Sequence, residues 1–324
     1  MTEVGLCDRS PVRVVIVGAG LSGLVCARSL SASGHEVTVL DKGRSPGGRL
    51  ATRRVEGAVL DHGAQFFTVR SEVFAAEVAS LVSLGLVSTW CNGFGADDGH
   101  PRYVVLGGMN ALAKHLAAGL DVRCGHLAFG VHPGSSGGWS VAIDDGSALD
   151  ADAVVLTCPI PQTMSLCVTA GVDVPQALWS IEYDRTLALL AVLDGPSAVA
   201  HPGGLQHPDE VFSFVGDNRA KGVSSVSALT LHANPDWSLA HWDDDPVALE
   251  SALRAAAAPY AGDSAVLVAQ VKRWRFATPR TTWPDPVWRA ASSAPLVFAG
   301  DAFAGPRIEG AYCSGLAAAA AVVA

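Results

Sequence analysis

Residues 12–17 are almost all apolar and β-branched, and Gly18-Ala19-Gly20-Leu21-Ser22-Gly23 follows them directly. A run of that kind reads as a strand buried on both faces, as in parallel sheets. Three glycines at this spacing each have a task. The first makes the tight turn, the second lets the backbone approach a pyrophosphate, and the third lets helix and strand pack closely. A helix over residues 21–33, closed by Gly34, and a second strand over 36–40 complete a βαβ unit, with parallel strands and a right-handed crossover. Asp41 ends the second strand, where a carboxylate bonds ribose hydroxyls. Gly18, Gly20, Leu21, Ser22, Gly23 and Asp41 are thus predicted to line a dinucleotide site, its phosphates facing the helix amides and dipole.

The rest of the chain supplies the layers around that unit. Residues 71–88 carry helical periodicity, with Val73, Phe74, Val78, Leu81 and Val82 on one stripe. Residues 186–192, 211–215, 223–231 and 266–274 read as strands of an antiparallel sheet, with a helix over 246–258 between them. A strand over 296–299, a glycine turn and a helix from about Gly310 to the end return to the opening style. The expected fold is α/β: a Rossmann-like, doubly wound nucleotide-binding domain with an inserted antiparallel-sheet substrate domain. The first would comprise 1–70, 103–160 and 290–324; the second, 71–102 and 161–289.

Composition narrows the partners. At 324 residues with 49% hydrophobic and 16% charged side chains, the chain can bury an extensive core. Its formal net charge of −9 disfavours nucleic acid and acidic membranes. Two basic clusters stand out as local anion sites: Arg44, Arg49, Arg53, Arg54 and Arg70, and Lys272, Arg273, Arg275 and Arg280. The seven cysteines form no C-x-x-C pair and no metal-ligand spacing, which predicts reduced thiols in a cytoplasmic protein with no bound metal. Neither the N-terminal apolar stretch nor the Ala-rich end is long enough to span a membrane.

Further motifs select among dinucleotides. Arg49, in Gly47-Gly48-Arg49, can grip a second face of the pyrophosphate. Gly300-Asp301 ends a strand and Glu309-Gly310-Ala311 opens the last helix, which suits a long cofactor lying extended across the sheet. Asp301 would bond a ribityl or phosphate-linked hydroxyl, and the helix start would stabilise negative charge on a reduced flavin. The motifs at 18–24, 41–54 (DKGRSPGGRLATRR), 61–68 (DHGAQFFT), 272–279 (KRWRFATP) and 300–315 (GDAFAGPRIEGAYCSG) resemble those of the bacterial renalase-like flavoproteins, within the flavin amine oxidase superfamily. Gly107-Gly108-Met109 and Thr157-Cys158-Pro159 also look like superfamily landmarks.

That resemblance implies non-covalent FAD held by Gly20, Leu21, Ser22, Asp41, Lys42, Gly48, Arg49, Ala64, Gln65, Gly300, Asp301, Glu309, Gly310 and Ala311. Leu127 would lie on the adenine side. It further implies an oxidase acting on isomeric dihydronicotinamide dinucleotides, 2- or 6-dihydro-NAD(P). Hydride would pass to flavin N5 and the electrons to O2, giving NAD(P)+ and hydrogen peroxide. Such chemistry requires positioning rather than a general base. Gln65, Tyr183, Trp274 and Phe276 are the pocket candidates, with Arg275 for an anionic group; His62 reads as structural. Three alternatives stay open: oxidation of a small amine, a flavin-binding redox sensor without turnover, and a flavin-dependent isomerase. The sequence leaves the oligomeric state open.

Overall fold

The computed structural model describes residues 10–324, so Cys7 lies outside the described residues. Strand β1 (Arg13–Val17), helix α1 (Leu21–Ala32) and strand β2 (Glu36–Asp41) form the expected unit, with β1 and β2 parallel from Arg13↔Glu36 to Val17↔Leu40. A hairpin of β3 (Thr52–Val55) and β4 (Ala58–Asp61) follows. Helix α2 (Glu72–Ser83) starts at Ser71, whose hydroxyl accepts from the Phe74 amide. It stops short of residue 88 because Gly85 turns the chain at φ +68, and the remaining apolar residues become β5 (Val87–Cys91). β5 pairs with β6 (Arg102–Val105), and α3 (Asn110–Ala117) leads to β7 (Asp121–Cys124), parallel beside β2. Next comes an antiparallel meander of β8 (Ala128–Pro133), β9 (Trp139–Ile143) and β10 (Ala148–Ala151). Strand β11 (Ala153–Leu156) then pairs with the other side of β1.

The middle of the chain builds a second sheet. After α4 (Ile160–Cys167) and α5 (Gln176–Trp179) come β12 (Tyr183–Leu193), β13 (Gly204–Gln206), β14 (Phe212–Asp217) and β15 (Ala228–Ala233). Helices α6 (Pro235–Ala240) and α7 (Pro246–Ala261) precede β16 (Val266–Pro279). These five strands form an antiparallel sheet in the order β13-β14-β15-β12-β16. Leu187, Leu189 and Ala191 of β12 pack with Leu249 and Leu253 of α7 on one face. Leu190 and Val192 meet Ala58 and Leu60 of the β3–β4 hairpin on the other. Each buried leucine of this kind contributes about 1.5–3 kcal/mol.

β17 (Trp288–Arg289), β18 (Leu296–Phe298) and α8 (Ile308–Val323) bring the chain back to the first sheet. Its order is β17-β18-β11-β1-β2-β7, parallel except for the edge strand β17. Helices α1, α3 and α8 cover one face in a core shared with Phe74, Val78 and Leu81 of α2. The meander and α4 cover the other, with Trp139 and Val141 packed towards Val15, Val17 and Leu156. The C-terminal ends of β1 and β11 are the topological switch point, where ligands of such sheets bind. Among the described residues no helix is long and apolar enough to cross a membrane. Cys26, Cys91, Cys124, Cys158, Cys167 and Cys313 are free thiols.

Candidate active site

The glycine turn at the switch point is close-packed on one side and open on the other. A Cβ on Gly18 would lie 2.5 Å from Thr157 Oγ1, and one on Gly23 would lie 2.0 Å from the Gly18 carbonyl oxygen. A Cβ on Gly20 would meet nothing within 4 Å. Gly20 is the N-cap of α1 and offers no side-chain cap, so the first-turn amides stay available. Ser22 in that turn is buried, and its hydroxyl has no partner. An open cradle of amides around an orphaned hydroxyl fits a pyrophosphate. The Asp41 carboxylate accepts from Ala19 N (2.7 Å) and Gly43 N (2.6 Å), which holds the end of β2 against the same turn.

The other cofactor candidates converge on this turn from distant parts of the chain. Gly47 N donates to Ala19 O at 2.8 Å, and a Cβ on Gly48 would lie 3.5 Å from the Gly20 Cα. Arg49 makes a two-pronged ion pair with Asp301, one arm at 2.6 Å, and also donates to Ala277 O at 3.2 Å. Burial opposes the Arg49 charge, but the Asp301 carboxylate prevails and raises its pKa. Gly300 N donates to Ser314 Oγ of α8 at 2.8 Å, locking Asp301 in place. Ala64 N donates to Arg49 O at 2.8 Å, and a Cβ on Gly63 would sit 2.0 Å from that same oxygen, so the DHGAQFFT segment abuts the Gly-Gly-Arg turn. Lys42 is exposed at the end of β2. Leu127 is 42% exposed, in a segment tied to β2 through His126 N to Asp41 O. Gly310 and Ala311 lie in the first turn of α8. The Glu309 carboxylate is engaged elsewhere: it accepts from the Arg70 and Ser71 amides at the start of α2.

The pocket candidates fall into separate settings. Trp274 stacks on His62 (centroids 5.3 Å apart, planes at 26°) and donates from Nε1 to His62 O at 2.6 Å. Beyond Trp274 the pairing of β12 with β16 is irregular. Phe276 accordingly packs edge-on against Tyr183, whose hydroxyl accepts from Ile160 N and whose ring lies beneath the Arg49 guanidinium. Arg275 is on the exposed face, whereas Lys272 shares the half-buried face with Trp274. The Gln65 amide is fully engaged: it donates to Asp61 O and Gly63 O and accepts from Lys221.

Lys221 and Asp61 were not legible as a pair. Both side chains are completely buried, with Nζ 3.4 Å from Oδ2. Burial lowers the Lys221 pKa, while Asp61 acts in the opposite sense. The other Asp61 oxygen accepts from Thr52 Oγ1 and Met109 N, and the Asp61 backbone binds Asn218 Oδ1 and Thr230 Oγ1. One aspartate thereby seams the hairpin to the five-stranded sheet. Around the pair stand Phe66, Trp90, Phe94 and Phe214 at centroid spacings of 5.0–6.2 Å, the Lys221 ammonium 5.7 Å from the Trp90 ring. The only sequence signal for this seam was the DHGAQFFT motif itself. His62 and His232 are both held neutral, their pKa values lowered to about 4 chiefly by burial.

A family model for flavin containing amine oxidoreductase matches residues 84–323, and one for an NAD(P)-binding Rossmann-like domain matches residues 16–77. The chain belongs to the flavin-containing amine oxidoreductase family. This makes it a flavin-dependent oxidoreductase by class, and the open glycine cradle, the orphaned Ser22 hydroxyl and the converging Arg49 and Asp301 fit FAD. Mouse renalase is 30% identical over 171 residues, covering 48% of this chain and 49% of that protein. Hydroxyneurosporene desaturase of Rubrivivax gelatinosus is 44% identical over 72 residues, 21% of this chain and 14% of the desaturase. The chain thus spans about half or less of the length of these curated relatives. Among solved structures, cyclohexylamine oxidase of Brevibacterium oxydans superposes with a TM-score of 0.74 at 15% identity, over 96% of this chain and 98% of that one. A putrescine oxidase superposes with a TM-score of 0.72 at 17% identity, over 97% and 99%.

Proposed function

We propose that this flavoprotein is an oxidase of isomeric dihydronicotinamide dinucleotides, the 2- or 6-dihydro forms of NAD(P), returning NAD(P)+ and hydrogen peroxide. When bound, FAD supplies a two-electron acceptor for hydride that O2 can reoxidise. The observation that carries this reading is the stacked His62–Trp274 wall directly before the Gly63-Ala64-Gln65 turn. A flat, neutral wall of this kind suits a nicotinamide ring. With pKa values lowered to about 4, His62 and His232 are weak bases, poorly suited to take a proton from substrate near pH 7. Asp301 and Asp61 are committed to Arg49 and Lys221. A ring that becomes aromatic by losing hydride needs none of these groups as a base, only orientation.

Oxidation of a small amine is the second reading, favoured by the family match. Against it, the ammonium of Lys221 already faces the aromatic cluster at Trp90, where a protonated amine would be repelled. The deciding experiment is anaerobic titration of the holoprotein, followed by flavin absorbance. The probes are a mixture of dihydro-NAD isomers, ordinary NADH and an aryl amine. Bleaching by the isomer mixture alone, reversed by air with formation of peroxide, is the expected result. Bleaching by the amine alone would replace the reading with the second one.

A further inference from the structure

The two basic clusters of the sequence meet in the fold. Arg53 lies on β3 opposite Leu60, and Leu60 packs against Leu190 of β12. Leu190 pairs with Gln270 of β16 and Ala188 pairs with Lys272, so Arg53, Gln270 and Lys272 lie on facing sides of one seam that ends at Trp274 and His62. The more buried cations Arg49, Arg102 and Lys221 each contact a carboxylate. The side chains of Arg53 and Lys272 make no hydrogen bond or ion pair among the described residues. Burial and the neighbouring Arg53 charge both lower the Lys272 pKa, and the charges of both residues add to the burial that holds His62 neutral. The same patch holds two buried polar atoms without partners, Gln270 Oε1 and His62 Nδ1. Arg53 is exposed and Lys272 half-buried, so two neighbouring like charges with no carboxylate on them, beside unmet polar atoms, offer a favourable place for an incoming anion.

We propose that Arg53 and Lys272 form a phosphate-binding site for the dinucleotide substrate, at the hairpin–sheet seam beside the His62–Trp274 wall. Once side-chain rotation uncovers them, Gln270 Oε1 would accept from a ribose hydroxyl and His62 Nδ1 would bond the carboxamide of the ring. The site is separate from the glycine cradle, because Arg53 shares the hairpin face of Leu60, which packs on Leu190 of the five-stranded sheet. The proposal rests on the dihydronicotinamide reading for the identity of its ligand, but it has a test of its own.

The holoprotein would be titrated calorimetrically with ADP-ribose and with 2′-phospho-ADP-ribose, neither of which can reduce flavin. Arg53→Gln and Lys272→Gln should each weaken binding about tenfold to a hundredfold, as expected for loss of one charge-assisted phosphate contact. Arg254→Gln, whose arginine pairs with Glu250 on α7, is the control and should leave both affinities as they are. Equal losses for the two probes assign the site to the bridging pyrophosphate, and a larger loss for the second assigns it to the 2′-phosphate; either supports the proposal. Retained flavin absorbance in each variant establishes that it has folded. In a parallel arm, the preference in flavin reduction for dihydro-NAD isomers over the phosphate-free dihydronicotinamide riboside should fall in the two variants. Unaltered ADP-ribose affinity in the double variant would overturn the proposal, as would failure of wild type to bind either probe at millimolar concentration. Failure of every dihydronicotinamide to reduce the flavin, with ADP-ribose binding still dependent on Arg53 and Lys272, would remove the functional reading and leave the anion site standing.

Discussion

Gly20 and Gly23 lie three residues apart in one motif, yet the structure gives them opposite reasons for being glycine. Gly23 has no room for a side chain, since its Cβ would lie 2.0 Å from a backbone oxygen. Gly20 has room, in an extended backbone conformation that alanine adopts freely. Gly23→Ala should therefore destabilise the protein, by about 1–3 kcal/mol for an overpacked site. Gly20→Ala should leave the fold intact and instead fill space at the helix N-terminus, reducing FAD retention at least tenfold. Unfolding curves and flavin occupancy after gel filtration separate the two. A Gly20→Ala protein that keeps its flavin would remove that glycine from the cofactor cradle.

At the scale of elements, the β3–β4 hairpin is the joint of the molecule, because Asp61 at its end bonds Met109 N before α3 as well as Lys221 and Thr230 on the side of the five-stranded sheet. Lys221→Met would leave the Asp61 carboxylate buried beside an apolar side chain. The expected cost is about 3–5 kcal/mol. Adding Asp61→Asn should recover part of it, since the remaining amide needs no counter-charge. Urea unfolding monitors both variants, and a loss below about 1 kcal/mol for Lys221→Met would show that the pair contributes little. The same joint explains a departure from the sequence pattern. Residues 223–231 read as one strand, but β15 begins only at Ala228, because Val223 N and Ser224 N fold back onto Asn218 O and Ser224 Oγ accepts from Val59 N. Apolar alternation cannot distinguish a ladder from a loop that packs over a neighbouring hairpin.

At the scale of the whole molecule, the buried neutral histidines tie stability to pH. His232 titrates at about 4 in the fold and near its ordinary 6.5 when unfolded. The unfolded chain therefore binds more protons between those values. The stabilising contribution is complete above pH 6.5 and is lost as pH falls towards 4. At about 1.4 kcal/mol for each tenfold in proton affinity, His232 alone accounts for about 3 kcal/mol across that window. The melting temperature should fall from pH 7 to pH 4.5, and His232→Gln should flatten the slope. An unchanged slope would mean that His232 is hydrated in solution.

The sequence by itself determined the βαβ unit, the glycine turn with Asp41, the return of the chain's end to the first sheet and the family motifs. Each is local: a run of β-branched residues, a glycine that must turn and an acid at a strand end all act within a few residues of themselves. It also determined that Trp274 and Arg275 would face opposite ways, because side chains alternate along an extended strand. Only the tertiary structure decided that Asp301 meets Arg49, that Lys221 is buried against Asp61, that the second face of the parallel sheet is covered by the β8–β10 meander, and that Arg53 and Lys272 come together. Those contacts join residues far apart in the chain, and a charged side chain carries no local mark of whether it will be solvated or buried. Its partner is chosen by how the sheets and the hairpin pack, and that packing is a property of the whole fold.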